Sequence, residues 1–115
     1  MTPLAGFPTG FEDGQILRYS VEDEVADIVY EYWNESQSLI RFTGFVGLAD
    51  IAAIGVIIGA ANEEANSELM ADIASRIYEI VPEDLDWKSF QFFDLDDKVA
   101  LEVIARHCEH VSLSG

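Results

Sequence analysis

"VADIVYEYWNESQSLIRFTGFV", residues 25–46, is the stretch on which the fold turns. Before its polar interruption, Ala26, Ile28, Tyr30 and Tyr32 share one side of an extended chain. Val25, Asp27, Val29, Glu31 and Trp33 share the other. After it, Ile40, Phe42 and Val46 face one way and Arg41 and Thr43 the other. Alternation with a period of two marks a strand, and two such runs around a short polar loop mark a hairpin. Directly opposed residues lie on the same face of a sheet, so the two apolar faces have to coincide. That condition selects Tyr32 opposite Ile40, Tyr30 opposite Phe42 and Ala26 opposite Val46. It also sets Glu31 against Arg41 and Trp33 against Leu39, with residues 34–38 as the loop.

The same reasoning extends outward in both directions. "QILRYSVE", residues 15–22, alternates and reads as a strand. "WKSFQFFD" and "VALEVIARHCEHV" flank an acidic turn and form a second hairpin, with Asp94 opposite Val99, Phe92 opposite Leu101, Phe90 opposite Val103, Gln91 opposite Glu102 and Phe93 opposite Ala100. Between the hairpins, Leu69, Ile73, Ile77 and Ile80 fall on one helical stripe, with Asn66 or Ser67 as N-cap and Pro82 as the stop. "IAAIGVIIGAA", residues 51–61, suits a buried helix or a buried strand, and the helical reading is the one adopted. The first fourteen residues carry Pro3 and Pro8 and no periodicity, which predicts an irregular arm. The expected fold is α+β: a mostly antiparallel sheet of two hairpins, with the helical central segment packed on one face.

With 115 residues, half of them hydrophobic, the chain is expected to form a single globular domain over residues 1–115. Six Lys and Arg against 22 Asp and Glu leave a formal charge of -16. A field of that sign repels phosphate backbones and anionic membrane surfaces and draws in basic proteins. The expected partner is therefore a basic protein, with nucleic acid and membrane excluded; a homodimer through the apolar middle is compatible with the sequence. No basic leader precedes an apolar core at the N-terminus, and the run at residues 51–61 is too short to span a bilayer. One cysteine, Cys108, forms no internal disulfide and suits a reducing, cytoplasmic setting.

Several constellations carry chemistry in principle. His107, Cys108 and His110 are zinc-type ligands, but strand geometry sends at most Cys108 and His110 to one face, and no other Cys or His completes a set. A nucleophilic Cys108 needs a lowered pKa, and an anionic surround raises it. "DLDD" followed by Lys98 lacks the glycine and glutamate of a calcium loop. No nucleophile elbow, phosphate-cradling loop or zincin pattern is present. The expectation is a protein without cofactor, metal site or catalytic residues, acting as a non-enzymatic binding module such as an inhibitor or toxin-neutralising immunity protein. A ligand-binding or enzymatic domain using carboxylates and His, and a structural subunit of a homo-oligomer, are the alternatives. The candidate partner-binding residues pair acids with aromatics: Glu22, Asp23, Glu24 and Asp27 with Tyr32 and Trp33, and Glu83, Asp84 and Asp86 with Trp87.

Overall fold

A computed structural model describes residues 2–113; Met1, Ser114 and Gly115, which belong to the arm and to the C-terminal end of the expected domain, lie outside the described residues. The strands in chain order are β1 (Thr2–Pro3), β2 (Gly14–Glu22), β3 (Val25–Glu31), β4 (Gln37–Thr43), β5 (Gly47–Asp50), β6 (Ile57–Glu64), β7 (Lys88–Asp94), β8 (Val99–Ala105) and β9 (His107–Ser112). A ten-residue helix, α1 (Glu68–Ile77), stands between β6 and β7. The protein is thus mostly antiparallel sheet with one short helix.

Hydrogen bonding runs through the order β5-β8-β7-β6-β2-β3-β4-β9, with β1 beside β6. The two outermost members are continuations of strands already in that path. β5 extends β4 past the bend at Gly44, and β9 extends β8 past Arg106. Both continuations pair with each other's parent segment, β4 with β9 and β5 with β8. The sheet therefore closes on itself into a barrel, and closure removes the long open edges that would invite pairing with other chains. Gly44 holds φ at 64°, and a Cβ there would lie 2.9 Å from the Arg106 side chain, so the bend requires glycine.

The barrel interior is filled by alternate residues from every long strand: Ile16, Ile28, Tyr30, Ile40, Phe42, Ile58, Phe90, Phe92, Leu101 and Val103. Tyr30 and Phe42 are both 0% exposed, which fixes the apolar face of β3 and β4 as the inner one. Phe11 closes the interior from the N-terminal arm, with its ring 4.9 Å from Tyr30 and 6.0 Å from Phe92. The Tyr30 hydroxyl donates to the Phe11 carbonyl, and the Tyr32 hydroxyl donates to Ser38 Oγ at 2.8 Å, so both buried phenols are satisfied. The arm is thereby anchored at Phe11 and again at β1.

On the outside, α1 lies over β5, β8 and the start of β7. Ser67 caps it by accepting from Met70 N, and Glu68 opposes the positive end of its dipole. Met70 and Ala74 bury against Trp87 and Ile104, and Ile73 lies over Gly47, where a Cβ would come within 2.8 Å of its Cδ1. Beside Ile104 on the outer face of β8, Glu102 is also covered and accepts from Ser89 Oγ at 2.6 Å.

Four expectations are corrected. The β3–β4 register places Ile28 against Ile40, Ala26 against Phe42 and Asp27 against Arg41, four residues away from the pairing inferred above. The faces survive because an even slip preserves alternation, but Glu31 faces Gln37, not Arg41. Residues 51–61 are not helical: positive φ at Ala52 and Gly55 turns the chain, and β6 begins at Ile57. Ile58 and Ala61 enter the barrel core there, and β6 pairs with both β2 and β7, which a helix in this place would leave unpartnered. The stripe of α1 is also rotated. Met70 and Ala74 are its buried residues, whereas Ile77 is 57% exposed and Ile80, beyond the helix, 86%. Finally, in the second hairpin Phe90, Gln91 and Phe92 pair as expected, but a bulge sets Phe93 against Val99.

Candidate protein-binding surface

The turn between β2 and β3 carries Glu22, Asp23 and Glu24. Glu22 pairs with Val25, leaving a two-residue connection in which Asp23 takes a φ of 54°, a conformation Asp tolerates better than most residues. All three acids are exposed. Asp27, two residues into β3, is already spent within the molecule: its carboxylate accepts from Arg41 Nε and Nη2 at 2.9 and 3.1 Å across the sheet.

A second acidic group arrives from the segment before β7. Glu83 and Asp84 are exposed, and Asp86 accepts from Arg106 Nε at 2.9 Å. Arg106 is also the hinge between β8 and β9; its backbone N–H donates to the Thr43 carbonyl, while the Phe45 N–H donates to the Glu24 carbonyl. Through these bonds the two acidic groups, about sixty residues apart in sequence, are drawn to either side of the Gly44–Arg106 seam.

The aromatic half of the candidate set is placed differently. Tyr32 lies inside the barrel at 2% exposure and Trp87 beneath α1 at 5%, so neither side chain is offered to a partner. Both belong to faces that the sheet needs for its cores, and burial of a large ring outweighs its display. Trp33 is exposed, in the β3–β4 turn. It stands at the far end of β3 from Glu22, Asp23 and Glu24, about 20 Å along a strand of that length. Its neighbours are Gly10, Glu12 and Asp13, which with it line an open cavity of about 360 Å³. The acid–aromatic pairing inferred from proximity in sequence is therefore not a pairing in space.

Sequence reasoning missed a feature on the helical side. Met70, Ala71 and Ala74 of α1, with Val81, Pro82, Glu83 and Leu85, line a groove of about 250 Å³. The signal was the Met70–Ala74 spacing of four, one position away from the stripe that more hydrophobic residues suggested. Trp87 Nε1, in the cluster beneath α1, finds no hydrogen-bond acceptor among the described residues.

For catalysis the geometry offers little. Burial first, then the nearby charges of Glu63 and Glu109, push the Cys108 thiol up to about 12, the opposite of an activated nucleophile. His110 packs edge-on to Phe7 with ring centroids 5.6 Å apart, and His107 projects to solvent. Among the described residues no three His, Cys, Asp or Glu side chains converge to hold a metal ion, and no helix is long and apolar enough to cross a membrane. No protein-family model matches the chain, and no curated protein or solved structure matches it.

Proposed function

We propose that this protein is a non-enzymatic binding module that engages a basic protein, as a small inhibitor or toxin-neutralising immunity protein does. The observation carrying this reading is the charge of the exterior. Arg41, Arg76, Lys88 and Arg106 are each bonded to an acid of the same chain, at Asp27, Asp72, Glu63 and Asp86. Most of the remaining charge is therefore uncompensated carboxylate, including Glu22, Asp23, Glu24, Glu83 and Asp84. Such a surface accelerates encounter with a cationic partner and rejects anionic ones. The closed barrel supports it with a rigid frame, which limits the ordering cost of association. A reducing, cytoplasmic setting fits its single, buried-side cysteine.

Affinity capture from the native cell type, at low and at high salt, tests the reading. A single basic protein retained at low salt and released by high salt supports it. Retention unaffected by salt, or of acidic proteins, counts against it. A second reading is favoured by one observation: Trp33 beside Glu12 and Asp13 is a combination suited to a small organic cation. Native mass spectrometry of the purified protein distinguishes it, since that reading requires a bound cationic metabolite.

A further inference from the structure

The groove between α1 and residues 81–85 has an apolar lining without an internal occupant. Met70, Ala71, Ala74, Val81, Pro82 and Leu85 supply it, and Asn66, Ser67 and Glu83 are the polar residues of the lining. Val81 is 44% exposed, and Ile77 and Ile80 beside it are more exposed still. Val81 lines the groove itself, and Ile77 and Ile80 leave further aliphatic surface exposed in the same segment of chain. An apolar surface of this kind, rimmed by polar groups, marks an interaction site.

Two observations restrict what fits it. At about 250 Å³ the groove is smaller than the roughly 300–1,000 Å³ typical of small-molecule sites, which favours inserted side chains over a whole ligand. Its surroundings are acidic. Glu83 lines it, and Glu79, Glu83 and Asp84 are exposed and make no ion pair among the described residues. A second copy of this chain brings a charge of -16 to meet the same sign, so self-association through this face is opposed by electrostatics. A cationic occupant is not.

We infer that the groove between α1 and residues 81–85 docks an amphipathic, Lys- or Arg-bearing helix of a partner protein, its aliphatic side chains entering between Ala71 and Leu85 and its cations meeting Glu79, Glu83 and Asp84. This is helix-in-groove recognition, in which anchors at i, i+3, i+4 and i+7 supply the apolar contact and the charged flank sets polarity. The inference rests on the reading of a basic partner and locates it: α1 and residues 81–85 form the contact, while Glu22, Asp23 and Glu24 contribute only the general field.

The test is a titration of the full chain with a synthetic peptide that carries leucines at i, i+3, i+4 and i+7 and lysines elsewhere. Trp33→Phe leaves Trp87, under the groove, as the fluorescence reporter. Ala71→Phe fills the groove at an exposed helical position without altering charge and is expected to weaken binding about tenfold, a change of roughly 1.4 kcal/mol. Glu83→Lys with Asp84→Lys is expected to weaken it further. Glu22→Lys with Glu24→Lys changes net charge by the same amount and is expected to matter far less. Far-ultraviolet circular dichroism confirms that each variant is folded. Equal loss from the two charge reversals, no loss from Ala71→Phe, or equal binding of a lysine peptide without leucines overturns the inference. Those outcomes leave the broader reading intact, because a basic partner can still be captured through the Glu22–Glu24 turn. Absence of any salt-sensitive basic partner in the capture experiment overturns the reading itself.

Discussion

The barrel interior and the cover formed by α1 are built to different standards. Inside, rings and branched side chains from all the long strands interlock around Tyr30, Phe42 and Phe92, and the N-terminal arm seals them with Phe11. Outside, ten helical residues bury only Met70 and Ala74, leaving a groove beside them and a run of exposed aliphatics after them. The difference shows where stability resides and where binding is affordable. A packed interior transmits any change in volume, whereas a half-covered face can exchange partners.

That contrast can be broken most severely by emptying each side. Phe42→Ala should cost about 3–5 kcal/mol, enough to unfold much of the population, while Met70→Ala should fall toward the lower end of the roughly 2–5 kcal/mol range for such truncations. Urea denaturation followed by tryptophan fluorescence measures both, and equal losses would show that the cover is as integral as the barrel. Adding a methyl group sharpens the comparison. At Gly14 a Cβ would lie 2.5 Å from the Tyr30 hydroxyl and 2.6 Å from the Glu31 carbonyl, so Gly14→Ala should cost about 1–3 kcal/mol or more. At Gly47 the obstacle is the mobile tip of Ile73, and Gly47→Ala should be milder by the same measurement.

Alkali should act on the interior before the cover. Burial, followed by the neighbouring Tyr32 and Asp13, raises the Tyr30 hydroxyl well above its ordinary value of 10.0, and Cys108 rises from 9.0 to about 12. Both groups keep their protons longer in the folded chain than in the unfolded one. Their contribution is therefore fully present below about pH 9 and is lost as pH climbs through the range up to about 12. Denaturation midpoints should fall steadily across that range, and thiol reagents should react with Cys108 more slowly at neutral pH than with a free cysteine, because its thiolate is disfavoured. The smallest effect belongs to the outer ion pair: Asp27→Ala should cost only about 0.2–1 kcal/mol, because both partners remain partly in water.

The two hairpins show how far alternation can be read. Each closes with a three-residue loop of the same design. Tyr32 and Ser36 close one, with Glu35 at a φ of 68°; Asp94 and Lys98 close the other, with Asp97 at 59°. Such loops commonly place glycine at the third position. Its replacement by Glu35 hid the first turn, and the register slipped by four residues in the reading of the sequence. The inner face from Ala26 to Tyr32 and at Ile40 and Phe42 stayed correct, but Val46, past the Gly44 bend, joined the cluster beneath α1 instead. In the second, the Asp94 carboxylate accepts from the N–H groups of Asp96 and Lys98, and acidic residues on both sides narrowed the choice to an error of one residue. The candidate surface was less legible. Glu22, Asp23, Glu24, Glu83 and Asp84 are exposed as composition suggests, but Tyr32 and Trp87 were assigned to the exterior because proximity in sequence stood in for proximity in space.

By itself, the sequence determined the apolar face of the strands around Tyr30, Phe42, Phe90 and Phe92, that a helix follows a cap at Asn66 or Ser67, and that the exterior is anionic. These follow from local periodicity, capping chemistry and composition, and need no knowledge of distant contacts. Only the tertiary structure decided that β4 and β8 bend into β5 and β9 to close a barrel, and that residues 57–64 join it as a strand. It alone tied Glu24 and Asp86 to the two sides of one seam. Closure and neighbourhood depend on contacts between residues far apart in the chain, and their energies are invisible to any short window of sequence.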